Sequence, residues 1–281
     1  MSHRKLALLA AFAATVAIAQ PAAAAEDKAL QAAIAGPQRS AEHVARDAAR
    51  HPYESLAFWS VGPKKTIIEV SPGTGYWTEI LAPYAKATGG TYVAGVADIL
   101  NPKLSDGARK GRAEFEGKYA DQAKFGKIAY VGFGPVSEPL GAPGSADVVI
   151  TARNVHNWMG QEGMMDKVFK DFHAVLKKGG VLAVEEHRSD PTRAQLPGAS
   201  DGYVATDTVI AAAEKAGFKL AARSEINANP KDTKDHPFGV WTLPPVRRSA
   251  QGGQPADASF DRTKYDAIGE SDRMTLRFVK P

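Results

Sequence analysis

The chain has 281 residues, 44% of them hydrophobic and 23% charged, and no cysteine. That length suits one large α/β domain or two small ones with a sizeable core, and the missing thiols exclude disulfide scaffolds, cysteine-ligated zinc, iron–sulfur clusters and thiol nucleophiles. Thirty-five basic residues against 31 acidic ones give a net charge of +4, and no dense Lys/Arg run gathers that excess into the patch a nucleic-acid binder uses.

The chain opens with His3-Arg4-Lys5, an uncharged apolar run over residues 6–19, and a small-residue stretch from Ala22 to Ala25. Basic, apolar, then small is the layout of a secretory leader, and the apolar run is shorter than the about 20 residues of a spanning helix. A cut near Ala25 is expected, giving an exported, periplasmic protein with no stable membrane anchor; an uncleaved anchor is the alternative. Residues 26–62 read as an N-terminal helical segment. Ser40 can cap a helix over 41–50 that Pro52 stops, and a second helix over 53–59 ends at Gly62-Pro63. Arg46, Arg50 and His51 form either a flap over a ligand or a solvated surface, and their place near the chain start favours the second.

Residues 66–70, T-I-I-E-V, suit a buried parallel strand. S-P-G-T-G follows at 71–75, and then Trp77, Ile80, Leu81 and Tyr84 fall at helical spacing. Strand, glycine turn and helix let backbone approach a nucleotide-like ligand, and Gly73 and Gly75 carry no Cβ to keep it away. No Walker loop is present. The dinucleotide pattern needs a third glycine where this chain has Thr78, and Glu69 is a poor neighbour for a pyrophosphate but suits a cofactor with cationic groups.

The stretch E-V-S-P-G-T-G resembles the first motif of the class I S-adenosylmethionine-dependent methyltransferases, an acidic residue followed by three alternating glycines. Glu69, Gly73 and Gly75 match, and Ser71 replaces the first glycine. The resemblance runs over about residues 40–280 and extends to exported bacterial methyltransferases of unassigned substrate. It implies a Rossmann-like α/β domain over 63–281, with a mostly parallel seven-stranded sheet, an antiparallel last strand and helices on both faces. It also implies S-adenosyl-L-methionine as cofactor, its methionine part near Glu69, Ser71, Gly73 and Gly75.

A second strand is expected over 90–96, with Asp98 as the acid that grips ribose hydroxyls about 20 residues after the glycine loop. Many family members place that acid one residue earlier, where Ala97 stands, and Asp98 also reads as an ordinary loop aspartate. A helix within 101–124 and a third strand over 128–133 lead to Gly134, whose main-chain groups can meet adenine, although the acid the family often carries there is missing. After a fourth strand over 148–151, R-N-V-H-N-W at 153–158 sits at the sheet's carboxyl edge, where ligands of open α/β sheets bind. Asn154 and His156 are candidates to place an acceptor, His156 to take its proton, and Asn157 to contact it. The plainer reading makes His156 and Trp158 packing residues.

A helix over 164–176 is expected to end at Gly179-Gly180 before a fifth strand over 181–185. The passage L-K-K-G-G-V-L-A-V-E-E-H resembles the family's helix, double glycine and strand. Glu185, Glu186 and His187 land at the active edge, with Glu186 and His187 as acceptor contacts. No metal is expected, because consecutive residues on an extended strand face opposite ways and cannot readily ligate one ion. A helix capped by Thr206 or Asp207, Gly217-Phe218, a sixth strand and a final strand over 273–279 complete the domain. Between those strands, 227–272 reads as an insertion, disordered or folded over the edge, in which His236, Phe238 and Trp241 stand out.

The expected activity is methyl transfer from S-adenosyl-L-methionine to a small-molecule acceptor, with no nucleic-acid partner. An exported, non-catalytic ligand-binding protein on the same fold is the alternative, favoured by the altered glycine loop and by a cofactor made in the cytosol. Thr78 disfavours a nicotinamide oxidoreductase.

Overall fold

The computed structural model describes residues 26–281, so the expected leader lies outside the described residues. Four helices come first: α1 (Lys28–Ala35), α2 (Ala41–Val44), α3 (Asp47–Arg50) and α4 (Pro52–Phe58). The alternating part runs β1 (Thr66–Val70), α5 (Thr78–Thr88), β2 (Thr91–Ala97), α6 (Asp106–Lys118), α7 (Gln122–Phe125), β3 (Ala129–Phe133), β4 (Ala146–Ala152), α8 (Val155–Met159), α9 (Met164–Val175) and β5 (Leu176–His187). The chain ends with α10 (Thr206–Lys215), β6 (Lys219–Ser224), β7 (Pro237–Val240), α11 (Thr263–Ile268) and β8 (Arg273–Val279). No helix among the described residues is long and apolar enough to cross a membrane.

Seven strands form one sheet in the order β3-β2-β1-β4-β5-β8-β6. The pairs from β3 to β5 are parallel, and β8 runs antiparallel between β5 and β6. Alternation along the strands feeds two cores, one on each face. Ile68, Val70, Val149, Leu182 and Val184 pack with Phe169 and Phe172 of α9 and Val209 of α10. Ile67, Val148, Ile150 and Ala183 face Leu30, Leu56, Trp59, Leu81 and Tyr84 of the N-terminal layer and α5.

Three local expectations change. Ser40 does cap, accepting from the His43 backbone N–H, but the helix expected over 41–50 breaks into α2 and α3 around Ala45 and Arg46. Thr206 and Asp207 lie inside α10, whose N-cap is Ala205 without a side-chain bond. The double glycine does not end α9; the strand begins at Leu176 directly after the helix. Ala146 pairs with Leu176 while Val148 pairs with Val181, so residues 177–180 bulge within β5, and Gly179 supplies the left-handed φ of 77° that the bulge uses.

Residues 227–272 lie against the carboxyl edge. Asn227 donates through Nδ2 to Ser55 Oγ and Thr275 Oγ1, Tyr203 donates to Asp232, and Asp232 also accepts the Asp272 backbone N–H.

Candidate active site

The loop after β1 is held by its own backbone and by α6. Ser71 takes a left-handed φ of 50°, and its N–H donates to Gly95 O at 2.8 Å. Gly73 and Gly75 have φ of 59° and 91°, and a Cβ at residue 75 would stand 1.8 Å from the Tyr119 hydroxyl. That hydroxyl donates to Thr74 O at 2.9 Å, so the loop takes this path because Tyr119 occupies the space a side chain would need. Glu69 lies beneath it, buried in the sheet. Its Oε2 accepts from Tyr92 Oη at 2.5 Å and Thr78 Oγ1 at 3.0 Å. Burial raises its pKa to about 7, outweighing both hydroxyl bonds.

Two cavities meet at this loop. The outer one, about 460 Å³, is walled by Val96, Ala97, Phe115 and Phe133, with Ser71, Gly73 and Asn154 on its inner side. The inner one, about 150 Å³, shares Ser71, Gly73 and Asn154 and adds Arg50, Glu69 and Arg153. Asn154 ties the ends of β1 and β4, its Nδ2 donating to Val70 O and Thr151 Oγ1.

Asp98 follows the end of β2 and is buried. Oδ1 caps the Leu100 N–H at 3.1 Å and lies where a Cβ of residue 132 would meet it at 2.8 Å; Gly132 makes the room. Gly134 has both main-chain groups bonded to Ser137 Oγ. Asp98 Oδ1 and both main-chain groups of Gly134 are thus bonded within the protein.

Arg50 and Arg153 of the inner cavity belong to a buried charge cluster that extends behind it. Arg50 is fully buried, and Arg46 nearly so. Glu270 receives Arg46 Nε at 2.6 Å, Arg50 Nε at 3.1 Å and Arg273 Nη1 at 2.8 Å, while Arg273 Nε lies 2.5 Å from Glu185. Arg153, at a left-handed φ of 60°, joins the group. Three guanidiniums thus pair with two carboxylates, and Arg153 lies within their electrostatic reach without a paired carboxylate. Both terminal nitrogens of Arg50, Nη2 of Arg46 and Nε of Arg153 are buried without a hydrogen-bond partner. Burial, helped by Arg153, pushes the Arg50 pKa down to about 9. Against its own burial, Glu270 is held at about 2 by Arg50, Arg273, Arg153 and Arg46. An anion entering the inner cavity would meet unsatisfied donors of high positive charge. The sequence offered Arg46 and Arg50 as a flap over a ligand, the reading it favoured less, and gave no sign of their partner, since the Arg50–Glu270 contact spans 220 residues.

At the carboxyl end of β5, Glu186 Oε1 lies 3.0 Å from His156 Nδ1 and accepts the His187 N–H at 2.8 Å. Its Oε2 accepts the His156 N–H at 3.2 Å. Burial, with His156 and Arg153 nearby, pushes the His187 imidazole pKa well below its usual range, and Ser271 Oγ lies 2.5 Å from its Nδ1. Trp241 sets its ring edge-on to His156 at 6.0 Å. Asn157 is exposed on the outer side of α8 and joins none of these groups. The alternation that argued against a shared ion separates Glu185, paired with Arg273, from Glu186. It does not separate Glu186 from His187, because α8 brings His156 to both and one donor atom from each of the three lies within 4.8 Å of the others.

No family model matches the sequence, and no curated protein matches it. Among solved structures, geranyl diphosphate C-methyltransferase from Streptomyces coelicolor, in complex with Mg²⁺, geranyl-S-thiolodiphosphate and S-adenosyl-L-homocysteine, is similar at 12% identity and TM-score 0.52, covering 89% of this chain and 84% of its own. The cyclase SpnF is similar at 12% identity and TM-score 0.50, covering 90% of this chain and 91% of its own. The pyocyanin biosynthetic protein PhzM is similar at 10% identity and TM-score 0.50, with 85% of this chain matched to 57% of PhzM. At these identities the likeness is one of fold: the chain has the Rossmann-like fold of the class I methyltransferases, with β8 antiparallel inside the sheet.

Proposed function

We propose that this protein binds S-adenosyl-L-methionine in the two joined cavities and transfers its methyl group to a small acceptor at the carboxyl edge of β4 and β5. The observation that carries this reading is the chemistry of the two cavities. An apolar slot between Val96, Phe115 and Phe133 suits an adenine, and across Ser71 and Gly73 lie unpartnered guanidinium donors of Arg50 and Arg153 that suit a carboxylate. The cofactor supplies an electrophilic methyl on a sulfonium. The protein's own part is alignment, exclusion of water by Trp241 and proton acceptance from the acceptor by His156, whose Nδ1 is oriented by Glu186. In this proposal residues 1–25 are a leader, and the protein works in the periplasm.

One observation favours a second reading, a non-catalytic site for a more anionic ligand: with Arg153 added to the three paired guanidiniums, four cations face two carboxylates, an excess greater than one cofactor carboxylate neutralises. Calorimetric titration with S-adenosyl-L-methionine and S-adenosyl-L-homocysteine separates the two. We expect binding of both, weakened at least tenfold by Arg50→Met, in keeping with the loss of a charge-assisted bond. No binding at millimolar cofactor rejects methyl transfer, and heat on titration with a small dicarboxylate instead supports the second reading.

A further inference from the structure

The acceptor edge sets His187 beside the His156–Glu186 pair to which the methyl-transfer reading gives proton acceptance, and an ion held by all three would take the place of the proton between that pair. We propose that His156, Glu186 and His187 bind one divalent first-row transition-metal ion. One donor atom from each lies within 4.8 Å of the other two, and all three residues are buried. The donors come from two elements, α8 and the end of β5, and are already oriented. The carboxylate is fixed by the backbone N–H groups of His156 and His187. Ser271 Oγ occupies His187 Nδ1 and so presents Nε2 as the ligating nitrogen, the arrangement by which a bound imidazole is held through its other nitrogen. The 3.0 Å between His156 Nδ1 and Glu186 Oε1 is also the spacing of two adjacent donors on one ion at bonds of about 2.0–2.2 Å.

Two nitrogens and one carboxylate oxygen select the ion's class. Mg²⁺ and Ca²⁺ take oxygen ligands, whereas imidazole suits Zn²⁺, Fe²⁺, Co²⁺ and Ni²⁺. Three protein donors leave coordination positions open. Trp241, from the segment over the edge, and Tyr203, just before α10, flank the imidazoles of His156 and His187 with ring centroids 6.0 Å and 6.3 Å away, so those positions are screened by aromatic surface.

The test needs no methyl donor, so it stands apart from the methyl-transfer reading. Tag-free full chain, stripped with chelator, is titrated with Co²⁺ and followed by its visible absorption, and then challenged with Zn²⁺. We expect one equivalent of Co²⁺, displaced by one equivalent of Zn²⁺, and a Zn²⁺-dependent rise in Tm. His156→Ala, His187→Ala and Glu186→Gln should each weaken binding at least tenfold, and Ser271→Ala by about 10–100-fold, the usual cost of losing a group that orients a ligand. His173→Gln, packed against Phe218, should leave binding unchanged. Wild-type protein that takes up no Co²⁺ at millimolar metal overturns the proposal, with no variant required. So does one-equivalent binding that persists in folded His156→Ala/His187→Ala protein, which would place the ion elsewhere; circular dichroism confirms the fold.

Discussion

Glu69 is 3% exposed and has two hydroxyl donors but no cation against its carboxylate. Its pKa moves from 4.5 in the unfolded chain to about 7 in the folded one because burial outweighs those two bonds. The folded state therefore holds the proton more tightly. This contribution to stability is complete below about pH 4.5 and is lost as pH rises through about 7. At about 1.4 kcal/mol per pH unit, the loss amounts to about 3 kcal/mol by pH 8. Glu69→Gln removes the titration while keeping an oxygen for Tyr92 and Thr78. Urea unfolding followed by circular dichroism from pH 4.5 to 8 gives the variant-minus-wild-type difference, in which every other titrating group cancels. We expect that difference to move in the variant's favour by about 3 kcal/mol across the range. A difference that is flat with pH refutes the burial argument, and one that moves the other way requires a cation beside Glu69 in solution.

Gly75→Ala combines a left-handed φ of 91° with a Cβ driven into the Tyr119 hydroxyl; about 2–4 kcal/mol of stability should be lost in the same assay, and a loss below 1 kcal/mol would show the loop to be free of Tyr119. Glu270→Gln leaves Arg46, Arg50 and Arg273 without their shared carboxylate. It should cost about 3–5 kcal/mol, the usual result of removing one partner from a buried ion pair, and an unchanged urea midpoint would mean that solvent already neutralises the cluster.

The sheet was legible because each strand carries its own signal. T-I-I-E-V became β1 at its expected bounds, and the glycine turn after it is where the two cavities meet. Patterns that depend on distant partners were not legible. Lys177-Lys178-Gly179-Gly180 looks like a helix end in isolation, and only its pairing with β4 and the chain beyond β8 makes it a bulge. Arg46 and Arg50 look like surface charges until Glu270 meets them from the far end of the chain. The metal-type cluster was missed for the same reason: alternation describes one strand, and the third donor, His156, comes from a different element. At Asp98 the spacing suits a ribose contact, and what the sequence did not reveal is that Gly132 makes room for Oδ1 to cap the following loop.

The position of β8 between β5 and β6 has a consequence for the order in which this molecule can assemble. Until that strand docks, β5 and β6 each present an unpaired edge and the sheet is split. Residues at its start bring three pieces of the site at once: Glu270 to Arg46 and Arg50, Ser271 to His187, and Arg273 to Glu185. Closing the sheet and pairing the buried arginines are thus one event: without β8 the sheet is divided, Arg46 and Arg50 lack Glu270, and Glu185 lacks Arg273.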